Sequence, residues 1–175
     1  MSKQPFIFQV IGHGDSGKTT LVSKAISKLK ENKLRVATIK HHAHPSPLKA
    51  MDEGKDTYLH RQAGAVGSLV ASSVELQMHI EHDIEITLEG LLEIYEKFPL
   101  DVILIEGFKR KDHPKLLIVR TEEDHQLIHE SSNVEAVICW KEEDLEKLKD
   151  TVSVPFFLIS EEEKYLQWIV EKCKA

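Results

Sequence analysis

Residues 12–19 read Gly12-His13-Gly14-Asp15-Ser16-Gly17-Lys18-Thr19. The stretch fits G-x-x-x-x-G-K-[ST], the pattern of a phosphate-binding loop. Its flanks matter as much as its letters. Phe6-Ile7-Phe8-Gln9-Val10-Ile11 is an apolar, β-branched run of strand length. Behind the loop, Leu21, Val22, Ala25, Ile26 and Leu29 recur at helical spacing. The order strand, glycine loop, helix is what phosphate binding requires. Glycines let successive N–H groups turn toward phosphate oxygens. The helix that starts near Lys18 aims its positive end at the same place. Lys18 adds a mobile cation for the β- and γ-phosphates, and the Thr19 hydroxyl suits Mg²⁺. A chance glycine-rich turn would not come with both flanks. The expected phosphate-contacting set is Gly12, Gly14, Asp15, Ser16, Gly17, Lys18, Thr19 and Thr20.

Working outward, Leu34 to Ile39 reads as a second strand after a turn at Asn32-Lys33. A strand–helix–strand unit of this length implies parallel strands with a right-handed crossover. The expected fold is a three-layer α/β/α nucleoside-triphosphatase fold. It has a mostly parallel central sheet and an antiparallel edge hairpin, and all 175 residues form one domain. The hairpin is read from residues 66–71 followed by strict alternation at Val74, Leu76, Met78 and Ile80. Such an edge can be covered by a second copy, so a homodimer is expected.

Asp101-Val102-Ile103-Leu104-Ile105-Glu106-Gly107 is a buried strand with an acid at each end. At about 3.3 Å per residue the acids lie roughly 16 Å apart. In a parallel sheet Glu106 shares the carboxyl end of the first strand with the glycine loop, and Asp101 does not. Thr19 and Glu106 are therefore the expected Mg²⁺ residues. Gly107 would let backbone approach the nucleotide. No glutamine or arginine finger stands out for water attack. Asp56 and Arg61 are the candidates for a catalytic role, which stays open. His41, His42 and His44 sit in a loop between the second strand and Asp52. The loop is read as a cover over the nucleotide, with metal ligation as the rival reading. The polar stretch 121–133 is read as surface, and Ser160 with Glu163 as a capping box for the last helix.

Composition narrows the partners. A net charge of −6 and a pI near 5.9 argue against nucleic acid. No apolar run is long enough to cross a membrane. Two distant cysteines, Cys139 and Cys173, suit a reducing compartment and no disulfide framework. The first strand begins almost at once, which leaves no space for a leader. A cytoplasmic location is expected.

Four stretches in order resemble the molybdopterin-guanine dinucleotide biosynthesis adapter proteins, the MobB family of P-loop GTPases. They are Gly12 to Thr20, then Lys40-His41, then Gly54-Lys55-Asp56-Thr57 with Arg61 and Ala63-Gly64-Ala65, and last Ile105-Glu106-Gly107-Phe108-Lys109. The resemblance implies GTP and Mg²⁺ binding and slow hydrolysis. It also implies a homodimer working beside the guanylyltransferase that attaches GMP to molybdopterin. The phosphate role falls on Gly14 to Thr20 and the acidic role on Glu106. Asp15 stands where the family often has Asn. Guanine itself is implied by resemblance only, since the N-K-x-D base-reading motif is absent. Two other classes are open: a small-molecule kinase, which usually carries an arginine-rich lid not seen here, and a metallochaperone-type GTPase motivated by the histidine loop.

Overall fold

The computed structural model describes residues 4–42, 48, 52–81 and 86–174. They form two compact units, one from residues 1–41 with 88–175 and one from residues 42–87.

The first unit is a six-stranded sheet ordered β2-β5-β1-β6-β7-β8, with every ladder parallel. The strands are β1 (Phe6–Ile11), β2 (Val36–Lys40), β5 (Val102–Glu106), β6 (Lys115–Val119), β7 (Val134–Cys139) and β8 (Phe156–Leu158). The period of two sorts their side chains between two helical layers. Val102, Leu104, Leu116, Ile118, Ala136 and Ile138 face α1 (Lys18–Glu31) and α6 (Glu162–Lys174). On the other face, Ile103 and Ile105 meet α3 (Leu88–Tyr95). Leu117, Val119, Val137 and Cys139 meet α4 (Leu127–Glu130) and α5 (Glu142–Leu148). This is the expected three-layer arrangement. Strands buried on both faces explain why their sequences run continuously apolar.

One lysine lies inside the sheet. Lys115 is wholly buried at a register shift between β6 and β7. Its ammonium donates to the carbonyls of Lys111 at 2.8 Å and Ser132 at 2.5 Å. Burial pushes its pKa below the usual lysine value.

The second unit holds α2 (Asp56–Gln62) and a hairpin of β3 (Gly67–Ala71) with β4 (Leu76–Ile80). The hairpin is antiparallel as expected, but it is a two-stranded sheet of its own and not an edge of the large one. The half-buried reading also needs correction. Leu69, Leu76, Met78 and Ile80 remain 45–60% exposed.

Two local expectations fail within the first unit. The stretch 121–133 is not simply surface. It forms a 3₁₀ turn at Glu122–Asp124 and then α4, which bury Asp124, Leu127 and Ile128. Ser160 and Glu163 give no capping box. Glu163 instead reaches Lys28 of α1 at 2.7 Å, and Glu161 accepts the Leu158 N–H at 2.9 Å.

Candidate functional site: a phosphate loop and its braces

Register alone brings the site together. Glu106 pairs with Val10 in β1 and with Lys40 in β2, so the carboxyl ends of three strands lie level. The glycine loop leaves β1 at this end and runs into α1 at Lys18. The opposite end of β5 is closed off. There the Asp101 carboxylate accepts the Arg35 N–H at 2.7 Å and its guanidinium at 3.0 and 3.2 Å.

Within the loop, packing makes glycine necessary at Gly12. A Cβ there would stand 2.6 Å from Ser16 Oγ and 3.0 Å from the Ile118 carbonyl. Lys18 folds over the loop, its Nζ donating to the His13 carbonyl at 2.5 Å and to Ser16 Oγ at 3.3 Å. Partial burial lowers its pKa, with Glu106 opposing and Lys109 and Lys40 reinforcing the effect. Thr19 Oγ1 lies 3.0 and 3.2 Å from the two Glu106 carboxylate oxygens. Lys40 Nζ stands 3.1 Å from Glu106 and 3.3 Å from Thr19 Oγ1. A hydroxyl and a nearly buried carboxylate at one point are hard oxygen donors. They fit a Mg²⁺ that keeps waters and takes the rest of its shell from phosphate.

The loop's shape is held from outside by residues that motif reading misses. The buried Asp124 carboxylate accepts the His13 backbone N–H at 3.1 Å and the Arg120 and Thr121 N–H groups at 2.9 Å each. It also lies 2.7 Å from His13 Nδ1. Burial alone would raise its pKa, but these donors outweigh it and hold the carboxyl below the usual range. Trp140 Nε1 donates to the Ser16 carbonyl at 2.9 Å, and the Arg120 guanidinium donates to the Asp15 carbonyl. Arg120 also stacks on Trp140, 4.8 Å from its ring centroid. A hydrogen-bonded Asp15 at φ +55° sits at the turn these tethers fix.

A third brace is Gln9, wholly buried in β1. Its amide donates to the Gly107 and Phe108 carbonyls, both at 3.1 Å. Gly107 adopts φ +100°, and a Cβ there would come within 2.9 Å of His41 Cβ. Phe108 is at φ +53° with its ring 4.7 Å from His41. Glycine at 107 is thus required by His41, one strand away.

The catalytic candidates lie in the second unit. Asp56 is the exposed first residue of α2. Arg61 is 9% exposed and grips Asp52 through two contacts at 2.5 and 2.7 Å. Thr57 Oγ1 donates to the same carboxylate at 2.6 Å, and Ser68 accepts from Arg61 at 3.1 Å. These donors hold the Asp52 carboxyl far below the usual range. Thr57 and Arg61 of the motif thus join Asp52 in a buried network of this unit, while Gly54, Lys55 and Asp56 stay exposed. His44 lies outside the described residues. Among the described residues no cluster of three or more His, Cys, Asp or Glu could hold a metal by itself.

The model of the molybdopterin guanine dinucleotide synthesis protein B family matches residues 7–140, which contain the loop, Glu106 and Asp124. A probable molybdopterin-guanine dinucleotide biosynthesis adapter protein of Bacillus subtilis is 35% identical over 141 residues, 80% of each chain. The crystal structure of Bacillus subtilis MobB matches with a TM-score of 0.77 at 30% identity, covering 95% of this chain and 96% of that one. A MobB homologue from Bacillus stearothermophilus gives 0.74 at 29%, covering 96% and 97%. The chain belongs to the molybdopterin guanine dinucleotide synthesis protein B family, MobB.

Proposed function

We propose that this chain is a GTP-binding adapter in molybdopterin guanine dinucleotide synthesis, a slow GTPase that acts beside the guanylyltransferase. The observation that carries the reading is the meeting of Lys18, Thr19 and Glu106 on one glycine loop. We read the chain as one nucleotide-binding domain with residues 42–87 as an inserted unit.

The loop N–H groups from Gly14 to Thr20 would bind the phosphates, helped by the positive end of α1. Lys18 would exchange its two loop contacts for β- and γ-phosphate oxygens. Thr19 and Glu106 would hold Mg²⁺, which neutralises charge on those oxygens. Lys40 would then leave Glu106 or turn to phosphate. Water attack has no committed base in the first unit's loop, which fits slow hydrolysis that a partner speeds. Arg61 serves catalysis only if its grip on Asp52 opens, and Asp56 is the freer of the two candidates.

The open hairpin face supports a homodimer. Leu69 and Met78 are cross-strand partners, and Leu76 and Ile80 share their face. That apolar face is too open for a lone chain, and a second copy is its natural cover. Two buried free thiols fit the cytoplasm. Among the described residues no helix is long and apolar enough to cross a membrane.

The test is co-sedimentation with the guanylyltransferase in GTP, in GDP and without nucleotide, with phosphate release followed alongside. Nucleotide-dependent association with slow turnover is expected. Transfer of the γ-phosphate to a small metabolite would make the chain a kinase instead.

A further inference from the structure

A cavity of about 390 Å³ opens on the side of the loop away from Glu106. The sheet order defines the two sides. Thr19, Glu106 and Lys40 gather at β1, β5 and β2, whereas the cavity lies at the ends of β6, β7 and β8. Its lining includes Thr20 and Lys24 of α1, Arg120 after β6, Trp140 after β7, Ile159 after β8 and Glu162 at the start of α6. Gly17 and Asp15 of the loop also border it. A triphosphate seated on the loop with its γ end toward Glu106 directs its nucleoside end this way. The volume lies within the range of small-molecule sites.

The lining has the chemistry of a purine site. Arg120 stacked on Trp140 makes a flat wall, fixed because both side chains are tied to loop carbonyls. Ile159 adds apolar surface. Opposite charges are set into this lining as a pair, Lys24 donating to the Glu162 carboxylate. Guanine presents two adjacent donors, N1–H and the 2-amino group, beside an acceptor at O6. A carboxylate accepts from both donors, and an ammonium suits O6. Adenine presents a bare N1, a C–H at position 2 and a donor at position 6, so it meets the same pair with like against like. No other carboxylate projects from β8 and α6 into the cavity lining.

We propose that this cavity takes the nucleobase and that the Glu162 carboxylate, set beside Lys24, selects guanine without an N-K-x-D motif. The proposal rests on the triphosphate-binding reading above. Glu162 is a specificity residue here, and Arg120 with Trp140 forms the platform against which the base lies.

The test is calorimetric titration of the full chain with the Mg²⁺ complexes of GTP, ATP, ITP and XTP. Inosine lacks the 2-amino group, and xanthine carries a carbonyl there. Wild type should bind GTP at least about tenfold tighter than ATP or ITP, since a hydrogen bond to a charged group is worth roughly that or more. Glu162→Gln places a carboxamide donor opposite the 2-position. Its GTP affinity should fall about ten- to a hundredfold while XTP binding rises, and Glu162→Asp should keep the order GTP over XTP. A misfolded variant would lose both ligands, so the ratio separates recognition from stability. An unchanged GTP-to-XTP ratio in Glu162→Gln, with binding still abolished by Lys18→Ala, overturns the base assignment and leaves triphosphate binding standing. If wild type binds no triphosphate, both readings fall.

Discussion

At the scale of single residues, Glu106 and Asp124 carry different kinds of work. Glu106 touches the Thr19 hydroxyl and the Lys40 ammonium, so its removal should cost metal dependence more than fold. Glu106→Gln should raise the Mg²⁺ concentration needed for triphosphate binding about tenfold or more, while thermal stability changes little; titrating Mg²⁺ at fixed nucleotide checks this. Asp124 receives three backbone N–H groups and shapes the loop from below. Asp124→Ala should destabilise the protein by about 2 kcal/mol, because those donors lose a charged acceptor, and should weaken phosphate binding with it. The sign of the pH effect follows from its lowered folded pKa. The stabilisation is present above the unfolded aspartate value of about 3.9 and fades as pH falls below it. Asp52 behaves the same way in the second unit, its carboxyl held down by Arg61 and Thr57. Wild type should therefore lose more thermal stability between pH 5 and pH 2.5 than Asp124→Asn does. Lys18, Thr19 and Glu106 were legible in the sequence because a motif and a strand end announce them. Asp124, Gln9, Arg120 and Trp140 were not. They act on carbonyls and N–H groups about a hundred positions away, and no local pattern marks such a partner.

At the scale of elements, period-two alternation and continuous apolar runs predicted most strands to within a residue or two. Their parity also assigns each side chain to a helical layer. The acidic stretch 121–133 misled because its charges dominate the composition. Its two apolar residues, Leu127 and Ile128, still bury under β6 and β7. The hairpin misled in another way. Alternation at Leu76, Met78 and Ile80 correctly indicates a strand with one apolar face, but it does not say what covers that face. Leu69, Leu76, Met78 and Ile80 lie exposed on one side of the ribbon, and Val70 is exposed on the other. Met78→Lys should shift the chain toward monomer, because a charge placed in a buried dimer face is uncompensated. Sedimentation velocity at micromolar concentration should show wild type at twice the 20.0 kDa chain mass and the variant at that mass. A wild-type chain that sediments only as a monomer would remove the dimer.

At the scale of the whole molecule, the parallel sheet acts as the platform that levels strand ends, and the glycine loop, Glu106 and Lys40 gather at those ends. Its interior is tight enough to silence two thiols. Burial pushes Cys139 and Cys173 up to about 12. Neither should react with a thiol reagent at pH 8 in the folded chain, and both should react once denaturant opens it; labelling rates against denaturant would track opening of the core. The most direct test of the account is calorimetric titration of the purified chain with GTP and with ATP, each with Mg²⁺, beside the Lys18→Ala variant. Saturable binding that prefers GTP and is largely lost in the variant is expected. Equal GTP binding by Lys18→Ala, or no preference for GTP over ATP in wild type, would contradict it.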